Sequence, residues 1–199
     1  MMPLMEALSS RRPREAALTE ALLRIVAERG LDQVSVREVA AEADVSIGTV
    51  QHYFPTKDAM LAGAFTEVVA RIRGRLTSVE LGPDIRENLS AVFAQLLPLD
   101  AKRVAEARIQ VAFAARAAHA PELAAIQRAV QRDVYAALAE AFTLASRGQL
   151  GAAQALLSAQ VAMATVDGLA LHAVSAPGLL PPRRLKAALE LLLDALVPR

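Results

Sequence analysis

Residues 35–57 read SVREVAAEADVSIGTVQHYFPTK, and the fold follows from how this stretch starts and stops its helices. Ser35 with Glu38 three positions on has the form of a capping box: the hydroxyl accepts an amide of the first turn and the carboxylate returns to the cap amide. Val34 and Val39 take the two positions of a hydrophobic staple around that cap, and Val45 and Val50 repeat the arrangement around a second cap, Ser46. Two short helices, expected over 36–43 and 47–53, are joined by Ala43-Asp44-Val45, a turn short enough to force a close crossing. Ala40 and Ala43 supply small side chains where they would touch. This is the pattern of a helix-turn-helix.

The second of these helices is chemically unusual. Gly48 near its start costs about 1 kcal/mol of helix propensity relative to alanine, and in exchange leaves a backbone that another molecule can approach. Ser46, Thr49, Gln51, His52 and Tyr53 crowd hydrogen-bonding groups onto two turns, with Val50 and Phe54 as core anchors. Lys57 opens the next helix, where the helix dipole disfavours a cation and a nearby phosphate would offset the cost. Taken singly, such residues are the solvated face of a small helical unit; together they favour contact with DNA.

Outward from this stretch the chain reads as helices throughout. Leu18, Leu22, Ile25 and Val26 recur at helical spacing over 13–29, with Gly30 placed to end that helix. Leu61, Phe65, Val68, Val69, Ile72 and Leu76 form a stripe over 57–76. Beyond Gly82-Pro83, further helices fit 84–97, 101–118, 121–146, 152–174 and 182–197. The expectation is an all-α fold of about nine helices. It divides into a DNA-binding domain at 11–56 (motif about 35–54), a connecting helix at 57–80, and a larger regulatory and dimerisation domain at 81–199.

Composition excludes several classes. With 199 residues and no cysteine, disulfide frameworks, thiolate metal sites and thiol nucleophiles are absent. His52, His119 and His172 lie too far apart for a metal-ligand spacing, so no metal and no cofactor are expected. No Ser/His/Asp arrangement and no Gly-rich phosphate loop appear, which argues against an enzyme and leaves no catalytic candidates. The net charge is +1, and residues 1–75 hold ten Lys/Arg against ten Asp/Glu, so contact with nucleic acid would rest on locally placed cations. Arg11, Arg12 and Arg14 form one such cluster, with no apolar signal core after it; a cytoplasmic protein is expected. The 19 uncharged residues from 148 to 166 match the length of a membrane span, but glutamines and many alanines oppose insertion, and a buried or interface helix is expected instead.

Residues 13 to about 76 resemble the N-terminal DNA-binding domain of the TetR family of bacterial transcriptional regulators. The resemblance lies in a long first helix ending in ERG at 28–30, followed by VSVREVAAEADVSIGTVQHYFPTKDAML at 34–61. The family's cap, turn, recognition-helix opening, aromatic pair and following lysine correspond to Ser35, Asp44-Val45-Ser46, Gly48-Thr49, Tyr53-Phe54 and Lys57. Asp44 departs from the family's usual glycine, and Gln51 from a frequent aromatic.

The resemblance implies a recognition helix lying in a major groove of double-stranded operator DNA. Ile47, Thr49, Gln51 and His52 are then candidates for base edges, glutamine being able to pair bidentately with adenine. Ser35, Arg37, Ser46, Tyr53 and Lys57 are candidates for phosphates, and Gly48 for close backbone approach. It also implies a C-terminal bundle enclosing a small-molecule effector and pairing with a second subunit. The segments ARIQVAFAARAAHAPELAAIQRAV (107–130) and ATVDGLALHA (164–173) are similar to one common C-terminal subtype of the family.

Within that bundle, Phe93, Phe113, Tyr135, Phe142 and Met163 are candidates for the cavity wall, each with ordinary core as the alternative. Arg116 shares a face with Ile109 and Phe113, and Gln160 stacks with Met163 and Asp167; polar groups so placed need a partner, which makes Arg116 and Gln160 further candidates. Gly168 and the stripe Leu189, Leu192, Leu193 and Leu196 are candidates for a homodimer interface. The function expected is a ligand-responsive repressor acting as a homodimer. The alternative is a small-molecule-binding helical protein without specific DNA readout, which the near-neutral first 75 residues keep open.

Overall fold

The computed structural model describes the backbone of residues 2–30, 33–146 and 149–197, and the side chains of these from Arg14 onward. Nine helices and no strand make up the described residues. They are α1 (Met2–Arg29), α2 (Val36–Glu42), α3 (Ile47–Tyr53), α4 (Lys57–Thr77), α5 (Ile85–Ala94), α6 (Ala101–Ala117), α7 (Pro121–Ala145), α8 (Ala152–Ser175) and α9 (Pro182–Leu196).

Their ends follow from local chemistry. Ser35, Ser46, Thr56, Asp84 and Asp100 each accept a first-turn amide as N-caps. α7 and α9 instead start on a proline, whose missing N–H is one the first turn would leave unpaired. The turn between α2 and α3 is closed by two bonds, Val45 N–H to the Ala40 carbonyl at 2.9 Å and Asp44 N–H to the Ala41 carbonyl at 3.3 Å. This is a Schellman motif, and it places Asp44 in the left-handed region at φ 52°. The residue standing where the family favours glycine therefore adopts the conformation that glycine would supply.

Three local expectations are corrected. The carboxylate of Glu38 does not complete the capping box; Arg29 Nη1 of α1 donates to it at 2.7 Å, so Ser35 alone caps α2. α5 stops at Ala94, short of 97, because the chain tightens into a turn with Leu96 N–H on the Phe93 carbonyl ahead of Pro98. α1 begins at Met2, well before residue 13.

Two apolar cores result. The first joins Leu18, Leu22, Ile25 and Val26 of α1 to Val39, Val50, Phe54 and, on α4, Met60 and Phe65. It also takes in Ile109, Phe113 and Ala117 of α6 and Leu123 of α7, so helices beyond residue 81 help close the N-terminal unit. The second core gathers α5, α8, α9 and the later part of α7 around Phe93, Phe142, Ala159, Leu189 and Leu193. α6 packs against α1, α4, α7 and α8, and α7 contributes its early turns to the first core and its later turns to the second.

α8 is long and apolar enough to cross a membrane by length and composition, a test that core helices of soluble proteins also pass. Its Ala155, Ser158, Ala159, Ala162 and Val166 face the second core, while Leu156, Leu157 and Val161 remain exposed.

Candidate nucleic-acid interface and cavity

α3 is held from beneath and bare on top. Val50 (0% exposed) and Phe54 (3%) anchor it in the first core. Phe54 lies against α4 at Gly63, where a β-carbon would come within 2.7 Å of the ring, so the absence of a side chain at that position sets how closely α3 and α4 approach. Ile47, Gly48, Gln51 and His52, spaced i, i+1, i+4 and i+5, are all exposed and share one face. A β-carbon on Gly48 would meet only Ser46 Oγ at 3.8 Å, so this backbone borders open space.

Two of the candidate side chains are already engaged. Ser46 Oγ accepts the Thr49 amide at 3.1 Å and lies 2.9 Å from the Thr49 hydroxyl, which fixes both at the start of α3. Tyr53 is half-buried, its ring edge-on to His52 with centroids 5.2 Å apart.

The cations around this face divide into two groups. Arg24 and Arg29 clamp α1 to Glu42 and Glu38 of α2, and Arg71 of α4 pairs with Glu20 and Glu67. Arg14, Arg37 and Lys57 have no ion-pair partner among the described residues and are exposed. Arg11 and Arg12 lie outside the residues whose side chains are described. The near-neutral charge of the first 75 residues thus hides a division of labour, in which Glu20, Glu38, Glu42 and Asp58 are engaged in ion pairs between helices.

Between α4, α5, α6, α7 and α8 lies a cavity of about 740 Å³, in the range of small-molecule sites. Its wall is mostly aliphatic, with Val69, Leu96, Val111 and Val134 facing the void, and Phe65 adds a ring whose plane stacks on Phe113 with centroids 3.9 Å apart. Of the candidates for the cavity wall, Tyr135 and Met163 line this cavity.

The other candidates lie elsewhere. Phe93, Phe113 and Phe142 are fully buried core residues. Arg116 does share a face with Ile109 and Phe113, but that face meets the N-terminal unit: its Nε and Nη2 each donate to Asp58 of α4 at 2.9 Å. This pairing holds the Asp58 carboxyl below its ordinary range. Gln160 is exposed on the outer side of α8.

For the interface candidates, Leu189 and Leu193 are buried within the chain's own second core, and Leu192 and Leu196 pack partly against it. Gly168 borders the cavity with nothing within 4 Å of the position a β-carbon would take. Exposed apolar surface lies instead on α8 at Leu156, Leu157 and Val161, and on α9 at Leu191.

Two polar groups on the cavity wall escape a search for motifs. Asp167 reaches the water of the cavity, yet the protein atoms around it push its carboxyl up to about 6 by withholding solvent. Gln127 turns a buried Oε1 with no hydrogen-bond partner among the described residues. The signal for Asp167 was its place directly after the long uncharged run; for Gln127 there was none.

α6 connects these regions. Ile109, Phe113 and Ala117 enter the core of the N-terminal unit, while Ala107, Gln110, Val111 and Ala114 face the cavity. At its other end Glu106, 3% exposed, takes Arg75 of α4 through Nη1 at 3.0 Å and Nη2 at 2.7 Å.

Residues 18–64 match the model of bacterial regulatory proteins of the tetR family, and residues 85–198 match that of the BetI-type transcriptional repressor C-terminal domain. The regulator BetI of Burkholderia thailandensis is 32% identical over 195 residues, covering 96% of this chain and 95% of its own length. The crystal structure of a transcriptional regulator from a Rhodococcus species superposes with a TM-score of 0.82 at 42% identity, covering 92% of this chain and 95% of that one. A regulator from Saccharomonospora viridis, solved in complex with choline, shares the fold with a TM-score of 0.77 at 19% identity, over 93% of this chain and 98% of its own. With an exposed two-turn helix on a helix-turn-helix and a second, cavity-bearing helical bundle, this chain belongs to the TetR family of transcriptional regulators.

Proposed function

We propose that the chain is a homodimeric repressor of the cytoplasm whose operator affinity is set by a small molecule in the cavity of about 740 Å³. The observation that carries this is the double role of α6, one face of which belongs to the core under α3 while an adjacent face lines the cavity. A molecule that widens or fills the cavity displaces α6 against α4, and Arg116 transmits this to the first turn of α4, where Asp58 and Lys57 stand beside the recognition helix. Two conformations of this contact, one favoured by effector and one by operator, make the sites reciprocal. That a regulator of the same fold was solved in complex with choline is in keeping with a small-molecule effector.

In the complex, Gln51, His52 and Ile47 read base edges, Thr49 reaches them with its methyl or after release from Ser46, and Gly48 admits the DNA backbone. Arg37 and Lys57 hold phosphates. Ser35, Ser46 and Tyr53 stand beside the same strands, with Ser35 and Ser46 also capping their helices. The second copy seats on the outward stripe of α8, where Leu157, Val161 and Ala164 repeat at helical spacing. Two reading heads so joined meet half-sites about 34–36 Å apart.

The test is binding of the purified protein to DNA flanking its own gene, with excess competitor, at two salt concentrations. Competitor-resistant binding supports the repressor. Absence of binding even at low salt overturns it and favours a small-molecule-binding protein without DNA readout.

A further inference from the structure

Exposed apolar side chains are unevenly distributed along the chain. Among the described residues before Leu81, large ones occur at two positions only, Val45 (38% exposed) and Ile47 (44%), on either side of the α3 cap Ser46. Val45 has a local task, since it precedes the cap in the place of a staple to the fully buried Val50. Ile47 has none. It is the first residue of α3, its side chain belongs to neither apolar core, and β-branching there slightly lowers helix propensity.

The surface around Ile47 is that of the reading face. Gly48 beside it borders open space, and Gln51 and His52 are exposed on the same side of α3. Arg37 and Lys57 on the flanking helices are exposed cations with no ion-pair partner among the described residues. Such a surface suits a groove edged with phosphates, in which an exposed apolar side chain has one kind of partner. The major-groove edges of adenine, guanine and cytosine present donors and acceptors, and thymine alone adds a hydrophobic group, its 5-methyl.

We propose that Ile47 packs on the 5-methyl group of a thymine in each operator half-site and makes thymine there a condition of tight binding. This rests on the chain being a DNA-reading repressor. Ile47 and Gln51 stand one helical turn apart, which separates their β-carbons by about 5–6 Å. Base pairs stack about 3.4 Å apart, so the thymine lies one or two base pairs from the pair that Gln51 reads. Thr49 carries a methyl as well, but it is half-buried and its hydroxyl is held 2.9 Å from Ser46 Oγ, which leaves Ile47 the larger free apolar surface. Burying one methyl is worth about fourfold in affinity, and the two half-sites of a homodimer multiply this to about fifteenfold. A cytosine methylated at C5 carries its methyl on the same edge of the groove, so the same side chain accepts it in part.

The test is a gel shift of the full-length protein on DNA flanking its own gene, amplified once with thymidine and once with deoxyuridine in its place. Uracil keeps every hydrogen-bonding group of thymine and lacks only the methyl. The unaltered protein is expected to bind the thymine fragment at least about tenfold more tightly, a comparison that needs no variant to fold. Ile47→Ala weakens binding to the thymine fragment and narrows the discrimination to less than about twofold, whereas Ile47→Val retains most of it. Deoxyuridine placed at single positions of the footprint then locates the loss at one thymine per half-site. At that position 5-methylcytosine is expected to bind more tightly than cytosine. Equal affinity for the two fragments overturns the thymine contact and leaves the repressor standing. Discrimination that survives Ile47→Ala gives the methyl to another side chain and overturns the role of Ile47. Binding to neither fragment at low salt overturns DNA reading itself, and the thymine contact with it.

Discussion

Val50 and Phe54 under the recognition helix are 0% and 3% exposed and meet filled space, whereas Val134 and Leu96 of the bundle stay half-buried because they meet an open cavity. All four are apolar side chains directed inward. What differs is whether the space opposite is occupied by the protein. A filled core holds its helices at one crossing angle, as a part that must match a groove of fixed dimensions requires. An unfilled one leaves stabilisation to be supplied by a bound molecule, so the bundle's conformation depends on its ligand. α6 carries one of these surfaces on each of two faces, and a regulator needs the two in contact.

The largest test of the contrast truncates both regions alike. Phe54→Ala empties a packed site and is expected to cost about 3–5 kcal/mol and abolish operator binding. Val134→Ala, whose side chain already borders a void, is expected to cost less than about 1.5 kcal/mol. Thermal unfolding checks both, and equal costs would dissolve the distinction.

Next in size are changes to the reading face that spare the core. Gly48→Ala adds a methyl in open space, so the free protein is expected to gain at most about 1 kcal/mol of stability. Operator affinity is expected to fall at least tenfold, read by gel shift. Lys57→Ala should weaken all DNA sequences alike and lower the salt slope by about 1, while Gln51→Ala weakens the operator selectively. An unchanged slope would remove the lysine from the phosphate contacts.

The bundle's own weak point is Asp167. Its carboxyl is raised to about 6 from an ordinary 3.8, so its protonated form favours the fold and that contribution is lost as pH rises through the folded value. Asp167→Asn stays neutral, and at pH 8 is expected to be more stable by about 1 kcal/mol, after discounting for cavity water. This amounts to a rise of about 2–4 °C in the melting temperature. The gap should close below pH 4 or so. A gap that persists there would mean the effect is packing and not charge.

The smallest expected effect returns to the head. Asp44→Gly relieves a left-handed residue at φ 52° and should stabilise by about 0.5 kcal/mol in urea unfolding, without altering DNA preference.

The helix-turn-helix was legible because everything that makes it is local. Ser35, Ser46 and Thr56 act on amides three residues away, and the turn at Ala43-Asp44-Val45 closes on carbonyls of the preceding helix. Such bonds have partners within one or two turns of sequence, so the order of residue types determines them. The nine helices, their proline starts and the exposed face of α3 belong to the same category.

Tertiary structure decided the rest. Periodicity marks Phe93, Phe113 and Phe142 as inward, and they are; it does not say whether inward meets a neighbour or a void, which depends on how five helices are spaced. Leu189 and Leu193 likewise face apolar surface, but that surface is this chain's own α5 and α8 side. Arg116 needed a partner, and only the approach of α6 to α4 identified it as Asp58 and not a ligand. Side-chain direction is a property of one helix and can be read from its sequence. The filling of the space it points into is a property of all the helices around it, and exists only once they have packed.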